Sequence, residues 1–201
     1  NEALQLLIEG AEIDDIETAA IDFGMPVGPI KAIDEIGIDV ALRAGTTIYE
    51  AFPDRILPSQ LLLALFQAGD FGRKTGRGFF CYDDAKQPVS VSPVAAKLIG
   101  ENKQQKSCLS RNALTARLIL PMLTEGLLAL EEGLVDTPHE IDDAVVYGLG
   151  FPDTYGGMFG WVDHIGLRRI LGMLSPLQEL GPRFQPPTTL SRLAAIGDAF
   201  Y

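Results

Sequence analysis

The chain has 201 residues, which is enough for one large domain or two small ones. Its 27 acidic residues outnumber 16 Lys and Arg, giving a net charge of −11, and this argues against a nucleic-acid partner, since phosphate backbones are bound by clustered bases. The two thiols, Cys81 and Cys108, form no disulfide framework, so we expect a reducing, cytoplasmic setting. The most apolar stretch, residues 117–134, contains Glu125 and Glu131, and no membrane span is expected.

Two parts of the chain carry the same order of predicted elements. NEALQLLIEG at 1–10 matches TEGLLALEEG at 124–133, and GMPVGPIKAIDEIGI at 24–38 matches GFPDTYGGMFGWVDHIGL at 150–167. The separation grows only slightly, from 123 residues between Gly10 and Gly133 to 129 between Gly37 and Gly166. Two diverged copies of one unit explain this drift, and chance similarity between leucine-rich helices is the alternative.

The sequence predicts three helices in each copy. The first helix of copy one opens with the chain itself, without a cap, so we expect this copy to be truncated at its N-terminus. The second helix starts at a predicted capping box, Asp14–Glu17 or Thr137–Glu140, and ends before a Gly-x-Pro turn. The short third helix carries Asp34 or Asp163 in an apolar segment and ends at a glycine. We expect the backbone N–H groups of the preceding Gly/Pro turn to bind these carboxylates.

The rest of the chain completes the predicted organisation. Residues 58–72 predict a further helix, and GFFCY at 78–82 predicts a short extended segment. Residues 83–109 are polar and rich in turn formers, which indicates a linker. The sequence therefore predicts an all-α fold with a first helical copy at 1–82, a linker at 83–109 and a second copy at 110–201. We expect the two copies to pack as one pseudo-two-fold unit, because each is too small to bury its apolar faces alone.

The candidates for chemistry are few. His139 falls in a predicted capping box and is expected to be structural, whereas His164 follows Asp163, which could orient its imidazole. No metal-ligand spacing, no G-x-S-x-G elbow and no G-x-G-x-x-G fingerprint is present, so we expect no catalytic, metal or cofactor-binding residue in this chain. Tyr147, in DDAVVYGLGFP, ends an apolar helix face beside two glycines and is expected either to pack in the core or to line a groove.

Longer motifs carry a family resemblance. FGMPVGPIKAIDEIGIDV at 23–40 and GRKTGRGFFCY at 72–82 resemble the C-terminal helical domain of the 3-hydroxyacyl-CoA dehydrogenases. With TPHEIDDAVVYGLGFPDTYGG at 137–157, nearly the whole chain is similar to the C-terminal part of the α-subunit of the multifunctional fatty-acid β-oxidation enzyme. The resemblance implies an acyl-CoA substrate. It also implies that an upstream Rossmann domain binds NAD and contains the catalytic residues. It also implies an enoyl-CoA hydratase domain further upstream and a thiolase partner subunit.

The resemblance carries over one substrate-binding residue, Tyr147 of VYGLGFP. The substrate-contacting Asn of the family's Asn-Arg pair would precede Asn1, and the second copy has Ala116 and Arg117 at the equivalent pair. The resemblance therefore implies that the isolated chain is inactive and forms one wall of an acyl-CoA cleft. The alternative is a non-catalytic helical module that holds subunits together.

The stretch GDFGRKTGRGFF at 69–80 looks superficially like a phosphate-binding loop. It is not a P-loop, because Gly72 is followed by arginine where that motif needs lysine. Its glycines predict a tight reversal before the aromatic segment packs. Arg73, Lys74 and Arg77 are interpreted as solvated, with contact to a CoA phosphate as the alternative.

Overall fold

The structure is a computed structural model that describes residues 1–104 and 109–201; Cys108, one of the two thiols considered above, lies outside the described residues. The described residues form eleven α-helices and one two-stranded antiparallel sheet, which confirms a mostly helical fold. The elements are α1 (Glu2–Ile8), α2 (Ile13–Phe23), α3 (Pro29–Ile36), α4 (Ile38–Ala51), α5 (Gln60–Gln67), β1 (Phe80–Tyr82), β2 (Pro88–Val91), α6 (Pro93–Asn102), α7 (Arg111–Glu131), α8 (Pro138–Leu149), α9 (Met158–Ile165), α10 (Leu167–Leu174) and α11 (Thr188–Ile196).

The chain divides into two compact units. The first comprises residues 1–21 and 27–114, and the second comprises residues 22–26 and 115–201. The short segment 22–26 thus belongs to the second unit, although its neighbours in sequence belong to the first. The domain boundaries predicted after residues 82 and 109 stay predictions.

The first unit is built on α1, α2, α5 and the β-hairpin. Leu6, Leu7 and Leu65 are fully buried in its core. Strand β1 pairs antiparallel with β2, with Phe80 opposite Val91. The predicted linker, residues 83–109, contains β2 and α6 in its described part, so its polar composition hid regular structure. Helix α6 has its own start signal, because Ser92 caps the N–H of Ala95 and Pro93 occupies the first turn.

The predicted capping boxes do not form as such. The Glu17 carboxylate accepts a hydrogen bond from the backbone N–H of Ile30 at 2.7 Å, at the start of α3, and does not return to the start of α2. In α8 the Thr137 hydroxyl donates to the Glu140 carboxylate at 3.0 Å, and no backbone N–H is capped by Thr137. The first turn of α3 leaves backbone donors without helical partners, and Glu17 is the carboxylate that reaches them.

The second unit is organised around α7. Leu120, Leu123 and Leu127 of this helix are fully buried in a core that α8, α9, α10 and α11 also line. Among the described helices, α7 alone is long and apolar enough to cross a membrane by length and composition. Its buried leucine face is the pattern of a helix that packs in a protein core.

Candidate substrate-contact site

Asp34 on α3 binds the aromatic segment that follows the glycine-rich loop. The carboxylate is fully buried and accepts hydrogen bonds from the backbone N–H groups of Phe79 and Phe80, both at 2.9 Å, and from the Tyr82 hydroxyl at 3.1 Å. The expectation that the preceding Gly/Pro turn supplies these donors is wrong. Burial raises the pKa of Asp34 even though the three hydrogen bonds act in the opposite direction.

Asp163 on α9, the counterpart of Asp34, holds a later segment in the same way. It accepts hydrogen bonds from the backbone N–H groups of Phe200 and Tyr201 at 3.0 Å. The Tyr201 hydroxyl donates to a second carboxylate, Asp142, at 2.9 Å. In each unit, then, a carboxylate of the third helix binds an aromatic segment that lies far along the chain. Local sequence patterns carry no signal for such partners.

The Gly/Pro turns are bound instead from the preceding helix. Asp142 on α8 accepts hydrogen bonds from the N–H groups of Phe159 and Gly160, at 2.8 and 3.4 Å, at the start of α9. Glu17 on α2 does the same for Ile30 at the start of α3. Both carboxylates lie at helix N-termini, where the unpaired N–H groups and the helix dipole favour a negative charge.

The glycine-rich loop approaches Asp34 too closely for a side chain. A Cβ atom on Gly72, whose φ is +92°, would lie 2.3 Å from the Asp34 carbonyl oxygen, and one on Gly78 would lie 2.2 Å from the Asp34 Oδ1. Phe79, which follows, is fully buried. The predicted tight reversal is confirmed, and its physical reason is the approach of the loop to α3.

Two of the three cations of this loop form ion pairs within the chain. Lys74 Nζ binds the Asp39 carboxylate and lowers the pKa of that group. Arg77 Nε binds Asp70 at 2.6 Å, and Asp70 is only 1% exposed. These two side chains are half exposed to solvent and are also bound by carboxylates of the same chain, and contact with a CoA phosphate stays a prediction. Arg73 is exposed.

Tyr147, the substrate-binding residue that the resemblance implies, lies on the surface. It occupies the last turn of α8 and is 85% exposed, so the core-packing alternative is excluded. The helix ends three residues later at Gly150, which takes a left-handed conformation with φ of +70°. The role of Tyr147 in binding stays a prediction.

Each of the two histidines stacks on a tyrosine ring. His139 stacks on Tyr201 with a centroid distance of 4.4 Å, and His164 stacks on Tyr155 at 4.3 Å. Asp163 does not bind His164 as expected, because its carboxylate accepts hydrogen bonds from the backbone N–H groups of residues 200 and 201. Among residues 1–104 and 109–201, no group of three or more His, Cys, Asp or Glu could hold a metal ion.

An aromatic cleft of about 330 Å³ opens in the second unit. Phe23 packs edge-on against Phe151 and Trp161, with ring centroids 5.4 and 5.5 Å apart. The volume lies at the lower end of the range for small-molecule sites. This cleft could not be predicted from the sequence, because its walls come from positions more than 120 residues apart. The lining residues are Asp22, Phe23, Phe151, Pro152, Thr154, Tyr155 and Trp161.

These features define a helical domain with an aromatic cleft, in which buried and half-buried carboxylates hold the helix starts and the aromatic segments. Its sequence matches the family described as 3-hydroxyacyl-CoA dehydrogenase, C-terminal domain, over residues 1–82 and 114–199. The chain therefore belongs to this family, and the resemblance seen in the sequence is confirmed. The 3-hydroxyacyl-CoA dehydrogenases are NAD-dependent oxidoreductases as a class.

Solved structures show the same fold. The 3-hydroxybutyryl-CoA dehydrogenase of Escherichia coli K12 is 21% identical with a TM-score of 0.70, and the match covers 97% of this chain and 57% of that one. The dehydrogenase part of multifunctional enzyme 1 of C. elegans is 21% identical with a TM-score of 0.68, and the match covers 94% and 44%. This chain thus spans about half the length of the structures that it matches.

Proposed function

We propose that this chain is the helical, substrate-side part of an NAD-dependent 3-hydroxyacyl-CoA dehydrogenase of fatty-acid β-oxidation. The family match over both stretches of the chain carries the proposal. The complete enzyme would oxidise a 3-hydroxyacyl-CoA to the 3-ketoacyl-CoA in the cytoplasm. In this proposal it is a multifunctional polypeptide with upstream hydratase and Rossmann domains and a thiolase partner subunit.

NAD does not fit the described residues of this chain. Dinucleotide phosphates are typically held by a glycine-rich turn between a parallel strand and a helix. The described strands form only an antiparallel hairpin, and in the glycine-rich loop Lys74 and Arg77 already bind Asp39 and Asp70. We therefore assign NAD binding and hydride transfer to another part of the polypeptide and propose that the 201-residue chain alone is inactive.

We also propose that the chain contains two tandem copies of the helical domain, paired about a pseudo-two-fold axis. A carboxylate of the preceding helix binds the start of α3 and likewise the start of α9, which supports a common origin. Within the second unit, a Cβ on Gly24 would lie 2.8 Å from the Pro152 ring, and one on Gly150 would lie 2.6 Å from the Pro26 ring. Equivalent positions of the two copies thus exchange the same contact, as expected where related surfaces meet about a two-fold axis.

Tyr147 provides the test of the substrate-side role. In the complete enzyme, Tyr147→Phe should weaken substrate binding roughly threefold to tenfold, because a hydrogen bond to a neutral partner contributes about 0.5–1.5 kcal/mol. Tyr147→Ala should weaken it further, because the ring contact is lost as well. The readouts are the Michaelis constant for a long-chain 3-hydroxyacyl-CoA and the melting temperature.

The control is Leu134→Ala, which removes another exposed apolar side chain of the second unit, 68% exposed. It should leave both readouts unchanged. A Michaelis constant that Tyr147→Ala does not alter would contradict the proposal. NAD-dependent turnover by the pure 201-residue chain would also contradict the proposal. If the complete polypeptide does not bind acyl-CoA, the alternative of a non-catalytic assembly module is favoured.

A further inference from the structure

The aromatic cleft of the second unit combines several rings with negative charge. Four of the seven residues that line it are aromatic, namely Phe23, Phe151, Tyr155 and Trp161. Asp22 supplies a carboxylate, and no Lys or Arg side chain is among the residues that line the cleft. Asp22 also takes part in a further interaction within the chain. Whatever charge the lining carries is therefore negative.

The rings of the cleft are held in place by their neighbours. Phe23 packs edge-on against both Phe151 and Trp161, and these two rings are almost fully buried. Tyr155 stacks on the His164 imidazole with a centroid distance of 4.3 Å. A cleft whose walls are already packed loses little conformational entropy when it binds a ligand.

The turn that carries Tyr155 lies close against α9. The backbone N–H of Gly156 donates to the carbonyl oxygen of Asp153 at 2.8 Å, which closes the turn. A Cβ atom on Gly160 would overlap the Tyr155 carbonyl oxygen, so only a glycine at position 160 allows this approach. The packing of α9 thus fixes the backbone of Tyr155, although the side chain itself is 43% exposed.

The helical fold does not require these aromatic residues. In the proposed first copy, Ala32 of α3 corresponds to Trp161 of α9, since each lies two residues before the matching carboxylate. The turn before this helix also differs in length, with residues 151–156 between its glycines in the second copy and only 25–27 in the first. The longer turn contains Tyr155. A role in maintaining the fold therefore does not explain the cleft, and a ligand does.

Rings beside a carboxylate are the chemistry that recognises an organic cation. The faces of Trp, Tyr and Phe rings carry negative charge density and attract a cation within about 6 Å. An anionic ligand would find no positive side chain among the residues that line the cleft, and the net charge of −11 would repel it further. An uncharged ligand would gain nothing from the charge of Asp22.

We propose that the cleft binds a small quaternary ammonium compound, with the ammonium group against the Tyr155 ring and beside Asp22. A quaternary ammonium group has no N–H to donate, so rings and charge recognise it without a hydrogen-bond acceptor of fixed geometry. The volume of about 330 Å³ admits such a head group with a short substituent. The proposed dehydrogenase function assigns no role to the residues of this cleft.

Trp161 provides a direct readout, because it lines the cleft and is the one tryptophan of the chain. Choline is titrated into the 201-residue chain at constant ionic strength while the tryptophan fluorescence is followed. The matched uncharged ligand is dimethylbutanol, the alcohol in which a carbon atom replaces the nitrogen of choline. We expect saturable binding of choline and binding of the alcohol that is roughly tenfold weaker. Saturation transfer from the protein to the choline methyl protons, measured by NMR, reports binding independently of Trp161.

Two variants test whether the binding occurs in the cleft. Tyr155→Leu keeps an apolar side chain but removes the ring, and it should weaken choline binding roughly fivefold. Asp22→Asn removes the charge alone and should weaken it roughly threefold. The controls are Tyr49→Leu and Asp84→Asn, which change an exposed tyrosine and an exposed aspartate of the first unit and should leave binding unchanged.

Equal binding of choline and its uncharged analogue would overturn the inference, because the cleft would then select only for apolar shape. Binding that neither Tyr155→Leu nor Asp22→Asn alters would overturn it too, because choline would then lie elsewhere. Failure to detect binding by either method below about 10 mM choline would refute it as well. Saturable binding of adenosine in place of choline would mark a stacking site for an uncharged ring and would likewise refute it. These assays need neither acyl-CoA nor NAD, so a negative result leaves the proposed function intact.

Discussion

The Asp34 carboxylate should be one of the largest single contributors to the stability of the first unit. Asp34→Ala leaves three donors without their acceptor, namely the N–H groups of Phe79 and Phe80 and the Tyr82 hydroxyl. Phe79 is fully buried, and a buried donor left unsatisfied costs about 1–3 kcal/mol. Phe80 and Tyr82 are half-buried, so water replaces part of what they lose. We expect a total loss of about 3 kcal/mol, which lowers the melting temperature by roughly 6–12 °C for a chain of this size.

The assay is urea denaturation followed by far-UV circular dichroism. Glu35→Ala is the control, since Glu35 is the next residue of α3 but is exposed and forms a surface ion pair with Lys31 at 3.9 Å. It should leave the free energy of unfolding close to that of the wild type. A change of less than about 1 kcal/mol for Asp34→Ala would refute the reasoning, because it would mean that water reaches these donors.

Further predictions concern cooperativity, close packing and pH. If the copies fold as one unit, Asp34→Ala should also lower the urea midpoint reported by fluorescence of Trp161, which lies in the second unit and is the chain's one tryptophan; an unshifted midpoint contradicts this. Gly78→Ala should destabilise by about 1–3 kcal/mol, because its Cβ would lie 2.2 Å from the Asp34 Oδ1. Gly148→Ala, in α8 with open space around it, should stabilise by about 0.5–1 kcal/mol, and equal effects of the two would refute this. Burial raises the pKa of Glu17 above its ordinary 4.5, so the folded state binds this proton more tightly. The contribution of Glu17 to the free energy of unfolding, measured against Glu17→Gln, should be complete below pH 4.5 and should fall as the pH rises through the raised pKa. A contribution that grows towards neutral pH contradicts this prediction.

Features with a local cause could be predicted from the sequence. Gly37 and Gly166 end the third helices with φ of +104° and +93°, as predicted, because these conformations are strained for any residue with a side chain. Pro138 occupies the first turn of α8 for an equally local reason, since its missing N–H has no helical partner to lose. In each case the residue type limits its own backbone.

The destinations of the carboxylates could not be predicted from the sequence. Glu17 matched the spacing of a capping box, yet it binds Ile30, thirteen residues further along. The partners of Asp34 and Asp163 lie still further away. A carboxylate binds whichever unpaired N–H groups the fold brings within reach, so its sequence neighbours do not identify its partner.

The candidate site was predictable only in part for a similar reason. The sequence placed Tyr147 at the end of an apolar helix face and left the core and the surface as alternatives. The exposure of 85% decides between them, and it depends on which face of α8 the rest of the unit covers. The aromatic cleft depends wholly on the tertiary fold, because Phe23 and Trp161 meet only after the chain has folded.

The two units show what the fold keeps when the residues change. Glu17 and Asp142 differ by one methylene, yet each binds the first N–H groups of the following helix. The later tyrosines differ more, since Tyr82 donates to Asp34 on the third helix and Tyr201 donates to Asp142 on the second. What is common is that a carboxylate accepts hydrogen bonds from the start of the following helix and another from the aromatic segment, while the identity of each carboxylate varies. A fold maintained by this condition tolerates a change in which carboxylate meets it, as long as the donors are paired.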